Sequence, residues 1–320
     1  MKKKKVLVTG GCGFIGREVV KQLIQKGYFV VVVDDFSNSK PLEESPHLSV
    51  INFDLTKSEG ILEILRGVDY CIHLAASVGG IKFMTSGQTE ILHDDIIIDA
   101  NTIKAASLAN VKIVYASTVI IYDQSKEVPF KEDQVNLLPP KSNYGFSKLV
   151  GERLCQVFGK DRNLNYSIAR ISNVYGINQN KIDENRLHVV PDLIRKISKG
   201  GTLKLLNDGN QIRAFVHTSD LANALILMME EDRANGEIFN VATNDRYQIL
   251  EVAKMIWELL REGEPFSYEN IKLEGNDLVD SSANGSKIHN MLGWKANRNL
   301  KDSLQELVKW YSKEYDTKVS

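Results

Sequence analysis

The chain has 320 residues, of which 43% are hydrophobic and 25% are charged, the composition of an ordinary globular protein of one large or two linked domains. A formal net charge of −1 gives no electrostatic basis for binding nucleic acid or an anionic membrane. The three cysteines form no CxxC pair, the six histidines are scattered, and the apolar runs are too short to span a bilayer. We therefore expect a cytoplasmic protein without a metal site, a disulfide framework, or a nucleic-acid or membrane partner.

Short β-branched runs alternate with helical patterns through the first half of the chain. Strands are predicted near 5–9, 29–34, 48–52, 69–74, 112–116 and 164–170. Helices are predicted near 14–26, 58–66, 90–109 and 143–159. Continuous apolar strands separated by helices are typical of an α/β fold with a doubly wound parallel sheet that helices cover on both faces.

The pattern changes after about residue 172, where the loops become polar and helical patterns dominate. Those helices are predicted near 187–199, 219–230, 248–261 and 301–315. We therefore divide the chain into a first domain at 1–172, which part of 212–240 is expected to rejoin, and a smaller α/β substrate-binding domain at 173–320.

A glycine cluster stands between the first predicted strand and helix, with the spacing Gly10-x-x-Gly13-x-x-Gly16. Glycines let a backbone approach a pyrophosphate closely, and the helix start that follows offers amides and a positive dipole end. The pattern predicts cofactor contacts at Gly10, Gly13, Phe14, Ile15 and Gly16. An ordinary tight turn between a strand and a helix could use the same residues, so the motif needs support from elsewhere.

The end of the second strand, "VVVDDFSNSK", supplies that support. Asp34 stands where a carboxylate accepts both ribose hydroxyls of NAD and repels the 2′-phosphate of NADP, and no lysine or arginine follows until Lys40. A solvated acidic turn is the alternative for Asp34 alone. Together with the glycines, this segment predicts a Rossmann-type domain that binds NAD. The predicted NAD contacts in the segment are Asp34, Asp35, Ser37 and Asn38.

A tyrosine and a lysine four residues apart, Tyr144 and Lys148, fall in the helix predicted at 143–159. That spacing places both side chains on one face, where an ammonium and an oxidised nicotinamide lower the tyrosine pKa and make the tyrosine a base. Ser117 and Thr118 end the fifth strand, at the edge where open α/β sheets bind ligands. We predict all four as catalytic residues. A surface Tyr–Lys pair, and hydroxyls that merely cap backbone groups, are the alternatives.

Short motifs run through nearly all of the chain: "TGGCGFIG", "DDFSNSK", "FDLT", "HLAA", "STVIIY", "YGFSK", "RISNVYG", "DGNQIRAFVHTSDLANA" and "LGW". As a set they resemble the extended short-chain dehydrogenase/reductase family, in its branch acting on nucleotide-diphosphate sugars. The resemblance implies that Thr118 is the hydroxyl beside Tyr144 and that Arg213 binds the diphosphate. The cofactor contacts that it implies are Asp54 and Leu55 near adenine, and Leu74, Ala75, Ala76 and Ser77 along the cofactor. The substrate contacts that it implies are Val78, Thr118, Asn173, His188, Val189 and Arg213.

Departures from the family's motifs narrow the expected activity. Nucleotide-sugar 4,6-dehydratases carry an Asp-Glu pair just after the threonine of strand five, where this chain has Val119 and Ile120. "VGGI" at 78–81 and "HVVP" at 188–191 are similar to GDP-fucose synthase and GDP-mannose 3,5-epimerase. His188 matches the synthase's histidine, but the cysteine of those enzymes is Ile120 here, and an aliphatic side chain cannot move a proton. We therefore expect neither dehydration nor C3/C5 epimerisation, and for His188 either a substrate contact or a structural role at a helix start.

The favoured function is an NAD-dependent nucleotide-sugar 4-epimerase that works through a 4-keto intermediate, because "DDFSNSK" closely resembles the NAD-retaining UDP-galactose 4-epimerases. The alternatives are a nucleotide-(GDP-)4-keto-sugar reductase and a catalytically silent NAD-binding protein. Where those epimerases have a second phosphate-binding arginine before "PGD", this chain has Glu274-Gly275-Asn276-Asp277, so the nucleotide and the sugar stay open. The resemblance also implies a homodimer, in which the helices at 90–109 and 143–159 form a four-helix bundle with their symmetry mates.

Overall fold

The computed structural model describes residues 3–77, 88–125, 127–134, 139–178, 187–272 and 279–314. Its strands are β1 Lys5–Thr9, β2 Phe29–Asp34, β3 Leu48–Asn52, β4 Tyr70–His73, β5 Lys112–Thr118, β6 Tyr166–Ile171, β7 Asn173–Tyr175, β8 Leu203–Leu206, β9 Ile212–His217, β10 Glu237–Val241, β11 Arg246–Gln248 and β12 Tyr268–Ile271. Its α-helices are α1 Phe14–Gln25, α2 Ile61–Leu65, α3 Gln88–Leu108, α4 Asn143–Arg162, α5 Val189–Lys199, α6 Thr218–Glu230, α7 Ile249–Leu260, α8 Ser286–Leu292 and α9 Leu300–Glu314. Within these ranges, no helix has the length and apolar character that crossing a bilayer requires.

Seven strands form one sheet in the order β10-β6-β5-β4-β1-β2-β3, and every neighbouring pair is parallel. The predicted α/β fold with a doubly wound parallel sheet is therefore confirmed. The strand order reverses between β1 and β4, because β2 and β3 extend the sheet one way and β5 and β6 extend it the other way. At such a switch point the loops after the two central strands leave a crevice between them. Most of the predicted cofactor residues lie at the ends of β1, β2 and β4 or just after them. Two predicted catalytic residues, Ser117 and Thr118, end β5.

Two apolar clusters cover the two faces of the main sheet. One cluster joins alternate strand residues, such as Val8 and Val32, to α1 and α6. The other joins the intervening residues, such as Leu7 and Val31, to α3 and α4, which also pack against each other. Because successive side chains of a strand point to opposite faces, a continuous run of valines buries both faces at once.

The predicted helices after residue 172 are found as α5, α6, α7 and α9, but the sequence predicts none of the strands there. β7, β9 and β11 form a second sheet, and β8 pairs with β12. A separate apolar cluster, including Tyr175, Ile194, Phe215 and Trp257, joins these strands to α5, α7 and α9. β10 returns to the main sheet beside β6. The division of the chain into domains at residue 172 stays a prediction.

Candidate active site

The turn between β1 and α1 needs glycines for its own packing, and it also presents backbone amides to a ligand. Gly10 has a φ of +64°, and a Cβ there would lie 2.9 Å from a backbone nitrogen of the loop after β4. A Cβ on Gly16 would collide with the carbonyl oxygen of Gly10. Gly13 is the N-cap of α1, and no side chain in the described part of the chain caps that helix start. The backbone at Phe14 and Ile15 therefore opens α1 toward the crevice with a donor set suited to a pyrophosphate.

Asp34, the last residue of β2, is 8% exposed. Its Oδ2 accepts from the amide of Cys12 at 3.0 Å, which ties the end of β2 to the glycine turn. Its Oδ1 accepts from the amide of Phe36 at 3.0 Å and from the hydroxyl of Ser39 at 2.8 Å. A carboxylate has about four acceptor positions, so Asp34 keeps capacity for a ribose hydroxyl. A phosphate in the same place would put two anions together, which disfavours NADP.

The other predicted contacts on the adenosine side lie in the loops after β2 and β3. Asp35 is exposed and accepts from the amide and the hydroxyl of Ser37 at 3.0 and 2.8 Å, and Asn38 is half-buried nearby. Asp54 accepts from the hydroxyl and the amide of the residue two positions on, at 2.7 and 3.0 Å, and these bonds lower the pKa of its carboxyl. Leu55 is buried beside it. The structure thus brings these residues to the carboxyl edge of neighbouring strands.

The segment from Leu74 to Ser77, which follows β4, is held at both ends. The hydroxyl of Thr9 accepts from the amides of Leu74 at 3.1 Å and Ala75 at 3.2 Å. The amide of Ser77 donates to Oδ1 of Asp95, on α3, at 2.6 Å. This predicted cofactor segment is therefore fixed between β1 and α3. The remaining predicted residues here are Ala76, which lies between the two anchors, and Val78, which lies outside the described residues.

A row of buried polar side chains crosses the sheet below this segment. Thr9, His73 and Tyr115 pair in register on β1, β4 and β5, so all three point to the face that α3 and α4 cover. The Thr9 hydroxyl accepts two amides, so its proton goes to Nδ1 of His73, at 2.6 Å. The Nε2–H of His73 then donates to Oδ1 of Asp99, on α3, at 3.0 Å. Burial lowers the His73 pKa, which keeps this imidazole neutral.

Helix α4 places Lys148 against Asp99. Lys148 is 2% exposed, and its Nζ lies 3.4 Å from Oδ1 of Asp99 and 5.1 Å from the centre of the Tyr115 ring. Burial by itself would lower the Lys148 pKa, but the charges of Asp99 and Asp95 outweigh burial and raise that pKa. The ammonium is therefore charged and held in place one helical turn after Tyr144.

The protein's own groups raise the Tyr144 pKa to about 12. Burial is the largest cause; Lys148 acts against it, and the carboxylates of Asp95 and Asp99 add to it. Asp95 is itself 0% exposed, and burial raises its pKa to about 6 against the pull of Lys148. The low tyrosine pKa that the sequence predicts therefore needs the positive charge of an oxidised nicotinamide as well as Lys148.

Thr118 lies at the end of β5, close to the start of α4. Its Oγ1 accepts from the amide of Ile120 at 3.2 Å and begins a short 3-10 helix, Val119–Tyr122. That helix packs against the first turn of α4, because a Cβ on Gly145 would lie 3.2 Å from Cγ2 of Ile120. The Thr118 hydroxyl, which still has a proton to donate, is thus brought near the turn that carries Tyr144.

Ser117, also predicted as catalytic, belongs to a second buried network further along α4. Its hydroxyl donates to Oε1 of Glu152 at 2.5 Å. The guanidinium of Arg170, on β6, binds both oxygens of Glu152 at 2.9 and 2.7 Å and donates to the hydroxyl of Tyr122 at 2.7 Å. The Ser117 proton is therefore committed to Glu152, and Thr118 is the hydroxyl that this edge presents near α4. The catalytic role of Ser117 stays a prediction.

Four of the predicted substrate residues lie on the second sheet and at the start of α5. Asn173 and Arg213 stand on the paired strands β7 and β9, where each donates to a backbone carbonyl of β9, at 3.2 and 2.9 Å. His188 precedes α5, and Val189 is the first residue of that helix. Burial lowers the His188 pKa to about 4, so its imidazole is neutral at pH 7 and can exchange a hydrogen bond without carrying charge.

Residues 6–242 match the model of the NAD dependent epimerase/dehydratase family. The chain belongs to this family. The resemblance inferred from the motifs is thereby confirmed, and so is NAD as the cofactor of the fold. The glycine turn and Asp34 are the parts of this epimerase/dehydratase that fit NAD by the chemistry of their donors and acceptors.

Similar proteins differ in the reaction they are named for. The epimerase/dehydratase chain is 29% identical, over 97% of its length, to the UDP-N-acetyl-alpha-D-glucosaminuronate decarboxylase of Bacillus cytotoxicus, of which it covers 98%. The UDP-glucose 4-epimerase of Thermotoga maritima with UDP-glucose superposes with a TM-score of 0.87 at 26% identity, over 97% of this chain and 99% of that one. The UDP-glucose 4-epimerase of Thermus thermophilus in complex with NAD superposes with a TM-score of 0.84 at 26% identity, over 96% of this chain and 98% of that one.

Three residues that the structure brings to the centre of the site, His73, Asp95 and Asp99, are absent from the set predicted from the sequence. A signal for the two carboxylates is present in the sequence. Asp95 and Asp99 stand four residues apart, a spacing that puts both on one face of a helix, and the three residues between them are isoleucines. Carboxylates at that spacing among isoleucines indicate a buried pair that faces a cation. His73 begins the motif "HLAA", but the sequence does not indicate that its ring faces a buried carboxylate, because that contact joins residues 26 positions apart.

Proposed function

We propose that this epimerase/dehydratase is a nucleotide-sugar 4-epimerase, which oxidises C4 of the sugar reversibly through a 4-keto intermediate. One arrangement carries the proposal. A buried, charged Lys148 follows Tyr144 by one turn of α4, and the 3-10 helix after Thr118 packs against the same end of that helix. A base, a cation that tunes it and a second hydroxyl thus meet at the carboxyl edge of β5, where this fold binds ligands.

The chain's own residues handle the proton. Tyr144, as the phenolate, accepts the proton of the C4 hydroxyl, and Lys148 stabilises the phenolate before the substrate reacts. Thr118 donates a hydrogen bond to the reacting oxygen. When bound, NAD supplies hydride transfer in both directions. After the keto sugar has turned over, Tyr144 gives the proton back, so the cycle consumes neither protons nor electrons.

We assign the substrate to the nucleotide-diphosphate sugars and place its diphosphate on Arg213, because a guanidinium fork matches phosphate oxygens. The sugar then lies between the Tyr144 end of α4 and the second sheet, with Asn173 and the neutral His188 as hydrogen-bond partners. Val78 and Val189 complete the proposed substrate set. The UDP-sugars named with the relatives make a uridine nucleotide the first to test.

A decarboxylase is the second candidate, and the similarity to the Bacillus cytotoxicus enzyme favours it. Oxidation at C4 of a uronic acid produces a β-keto acid, which loses CO₂ without a further acid group from the protein. The same Tyr144, Lys148 and Thr118 would serve that first step. Loss of water, in contrast, requires a proton carrier after Thr118, where Val119 and Ile120 are aliphatic.

We further propose a homodimer in the cytoplasm, formed through α3 and α4. Phe146 and Val157 on α4 are 37% and 40% exposed, and Leu108 on α3 is 59% exposed. Phe146 and Val157 are about three helical turns apart, so they lie on one face. Sedimentation that gives a monomer at micromolar concentration contradicts the dimer. The buried free thiols of the three cysteines suit a reducing compartment.

Product analysis without added NADH tests the reaction. UDP-, GDP-, CDP- and dTDP-hexoses and UDP-hexuronic acids, each carrying deuterium at C4, are incubated with the protein as purified, and the products are analysed by NMR. A C4 epimer that retains its deuterium supports the 4-epimerase. Release of CO₂ with a pentose product selects the decarboxylase. Reduction of a nucleotide-4-keto-hexose, supplied as a further substrate together with NADH, selects the reductase. A protein that releases NAD on denaturation and turns over none of these sugars is the silent NAD-binding alternative.

A further inference from the structure

Asp99 is a fully buried carboxylate that the proposed proton chemistry does not use. It is 0% exposed and faces three donors: Nε2 of His73 at 3.0 Å, the hydroxyl of Tyr115 at 2.5 Å and Nζ of Lys148 at 3.4 Å. Burial opposes its ionisation, but Lys148 and the hydrogen bonds outweigh burial and lower its pKa. Asp99 is therefore a permanent negative charge next to the lysine.

Asp95 lies one turn earlier on the same face of α3. It is also 0% exposed. Its Oδ1 accepts from the amide of Ser77 at 2.6 Å, and its Oδ2 accepts from the hydroxyl of Ser147 at 3.4 Å. Ser77 ends the predicted cofactor segment, and Ser147 immediately precedes Lys148. The two carboxylates of α3 thus lie between the cofactor segment and the catalytic helix.

The charges in this cluster do not balance. Among the residues that the structure describes, Lys148 is the only lysine or arginine in ion-pair contact with Asp99. No lysine or arginine among them is in ion-pair contact with Asp95. When both carboxylates are ionised, two anions face one cation. A buried excess charge is costly unless an opposite charge approaches it. An oxidised nicotinamide ring is positively charged and a reduced ring is neutral, so only the oxidised form restores the balance.

We infer that Asp95 and Asp99 bias the site toward the oxidised cofactor, which makes the bound reduced cofactor a stronger hydride donor and favours return of the hydride to the keto sugar. The inference rests on the proposed function for the place of the nicotinamide beside Lys148. Both residues act through Lys148 and through the charge that they add, so they are positioning residues. A unit charge about 8 Å from a charged ligand, partly buried, changes affinity by roughly tenfold or more.

The ratio of bound NAD⁺ to bound NADH tests this without any sugar. Protein is equilibrated with fixed mixtures of the two forms, freed of unbound cofactor by rapid gel filtration, denatured, and its released cofactor quantified by chromatography. The variants are Asp99→Asn, Asp95→Asn and the control Asp94→Asn, which neutralises the neighbouring carboxylate of α3, 42% exposed at its side chain.

We expect Asp99→Asn to shift the bound ratio toward NADH by roughly tenfold at pH 8. Asp95→Asn should shift it severalfold at pH 8 and not at pH 5, because the Asp95 pKa is about 6. The charged and titratable groups that face Asp95 are Lys148 and Tyr144 on α4 and Asp99 on α3. In the protein without cofactor, the pKa values of Lys148 and Tyr144 are raised and that of Asp99 is lowered, so Asp95 alone of these four titrates between pH 5 and 8. Because bound NAD⁺ lowers the Tyr144 pKa, each variant's ratio is compared with the wild-type ratio at the same pH. Asp94→Asn should leave the ratio unchanged.

Unchanged ratios in both Asp99→Asn and Asp95→Asn overturn the inference. An equal shift in Asp94→Asn also overturns it, because the effect would then be a general one of net charge. If Asp99→Asn does not fold, as a thermal melt would reveal, Asp95→Asn and its pH dependence decide. A protein without 4-epimerase activity still yields these ratios, so failure of the proposed reaction is distinguishable from failure of this inference.

Discussion

Two buried ion pairs lie one turn apart on α4 and are built differently. Nζ of Lys148 stands 3.4 Å from Asp99. Glu152 instead meets Arg170 through two short bonds, at 2.9 and 2.7 Å, and also accepts the Ser117 hydroxyl. Burial is nearly complete in both pairs, since all four side chains are at most 3% exposed.

The difference separates a structural pair from a chemical one. The guanidinium of Arg170 donates to both oxygens of the Glu152 carboxylate, which leaves little capacity for a ligand. Glu152 and Arg170 therefore join α4 to β6. The ammonium of Lys148 lies 3.4 and 3.5 Å from the two oxygens of Asp99, and with such long contacts it keeps donors for a substrate or a cofactor. Changes to the Glu152–Arg170 pair should therefore affect stability, and changes to the Lys148–Asp99 pair should affect chemistry.

The largest expected effect is that of Tyr144→Phe, which removes the hydroxyl that Lys148 is proposed to tune. Turnover should fall roughly 10²–10⁴-fold, the usual range for a positioned acid–base group, while substrate binding changes little because the ring remains. The measurement is kcat and KM on the substrate found by product analysis. Tyr122→Phe is the matched control, because it removes a buried hydroxyl from the Arg170 network and should leave turnover near normal. Near-normal turnover of Tyr144→Phe contradicts both the epimerase and the reductase hypotheses.

The structural pair is tested by Glu152→Gln. Removing the charge of one partner leaves Arg170 buried and unbalanced, which costs about 3–5 kcal/mol of the free energy of unfolding. Denaturant unfolding measures this loss, and turnover per folded molecule should change far less than in Tyr144→Phe. A variant of unchanged stability that loses turnover would reverse the roles assigned to the two pairs.

Asp95→Asn tests how the buried charges beside Lys148 affect the pH dependence of stability. The folded pKa of Asp95 is raised to about 6 from the ordinary 3.8, so its protonated form favours the folded state. That stabilisation is complete below pH 4 and is lost as pH rises through about 6. A shift of one pKa unit corresponds to about 1.4 kcal/mol, so the free energy of unfolding falls by up to roughly 3 kcal/mol. The variant should therefore be more stable than the wild type at pH 8 and about equal at pH 4. Denaturant unfolding at both pH values checks this, and an equal difference at both contradicts it.

The smallest expected effect is that of Ser117→Ala. Glu152 loses one donor of three, which should cost about 1 kcal/mol of stability, with kcat unchanged. Thr118→Val is the matched comparison at the next position, and it should lower kcat without an equal loss of stability. A large fall in kcat for Ser117→Ala would restore the catalytic role that the sequence predicts for this serine.

Local patterns made the first half of the chain predictable. The strand predicted at 48–52 is β3, and the helix predicted at 143–159 begins at the same residue as α4. Valine runs and glycine turns determine such elements over a few residues. β8 and β12 could not be found in this way, because each has four residues and pairs with a partner more than sixty positions away. Their pairing is decided by a core that joins Leu205 and Trp257, not by their own sequence.

The sequence by itself determined the glycine turn, Asp34 at the end of β2, and the common face of Tyr144 and Lys148, because each depends on spacing within one turn or one strand. Only the tertiary structure decided which charges are buried together. It placed Asp99 under Lys148 and directed Ser117 to Glu152, contacts that join residues 35 to 49 positions apart. The environment of a charge depends on every element packed around it, so burial and pKa follow from the fold as a whole.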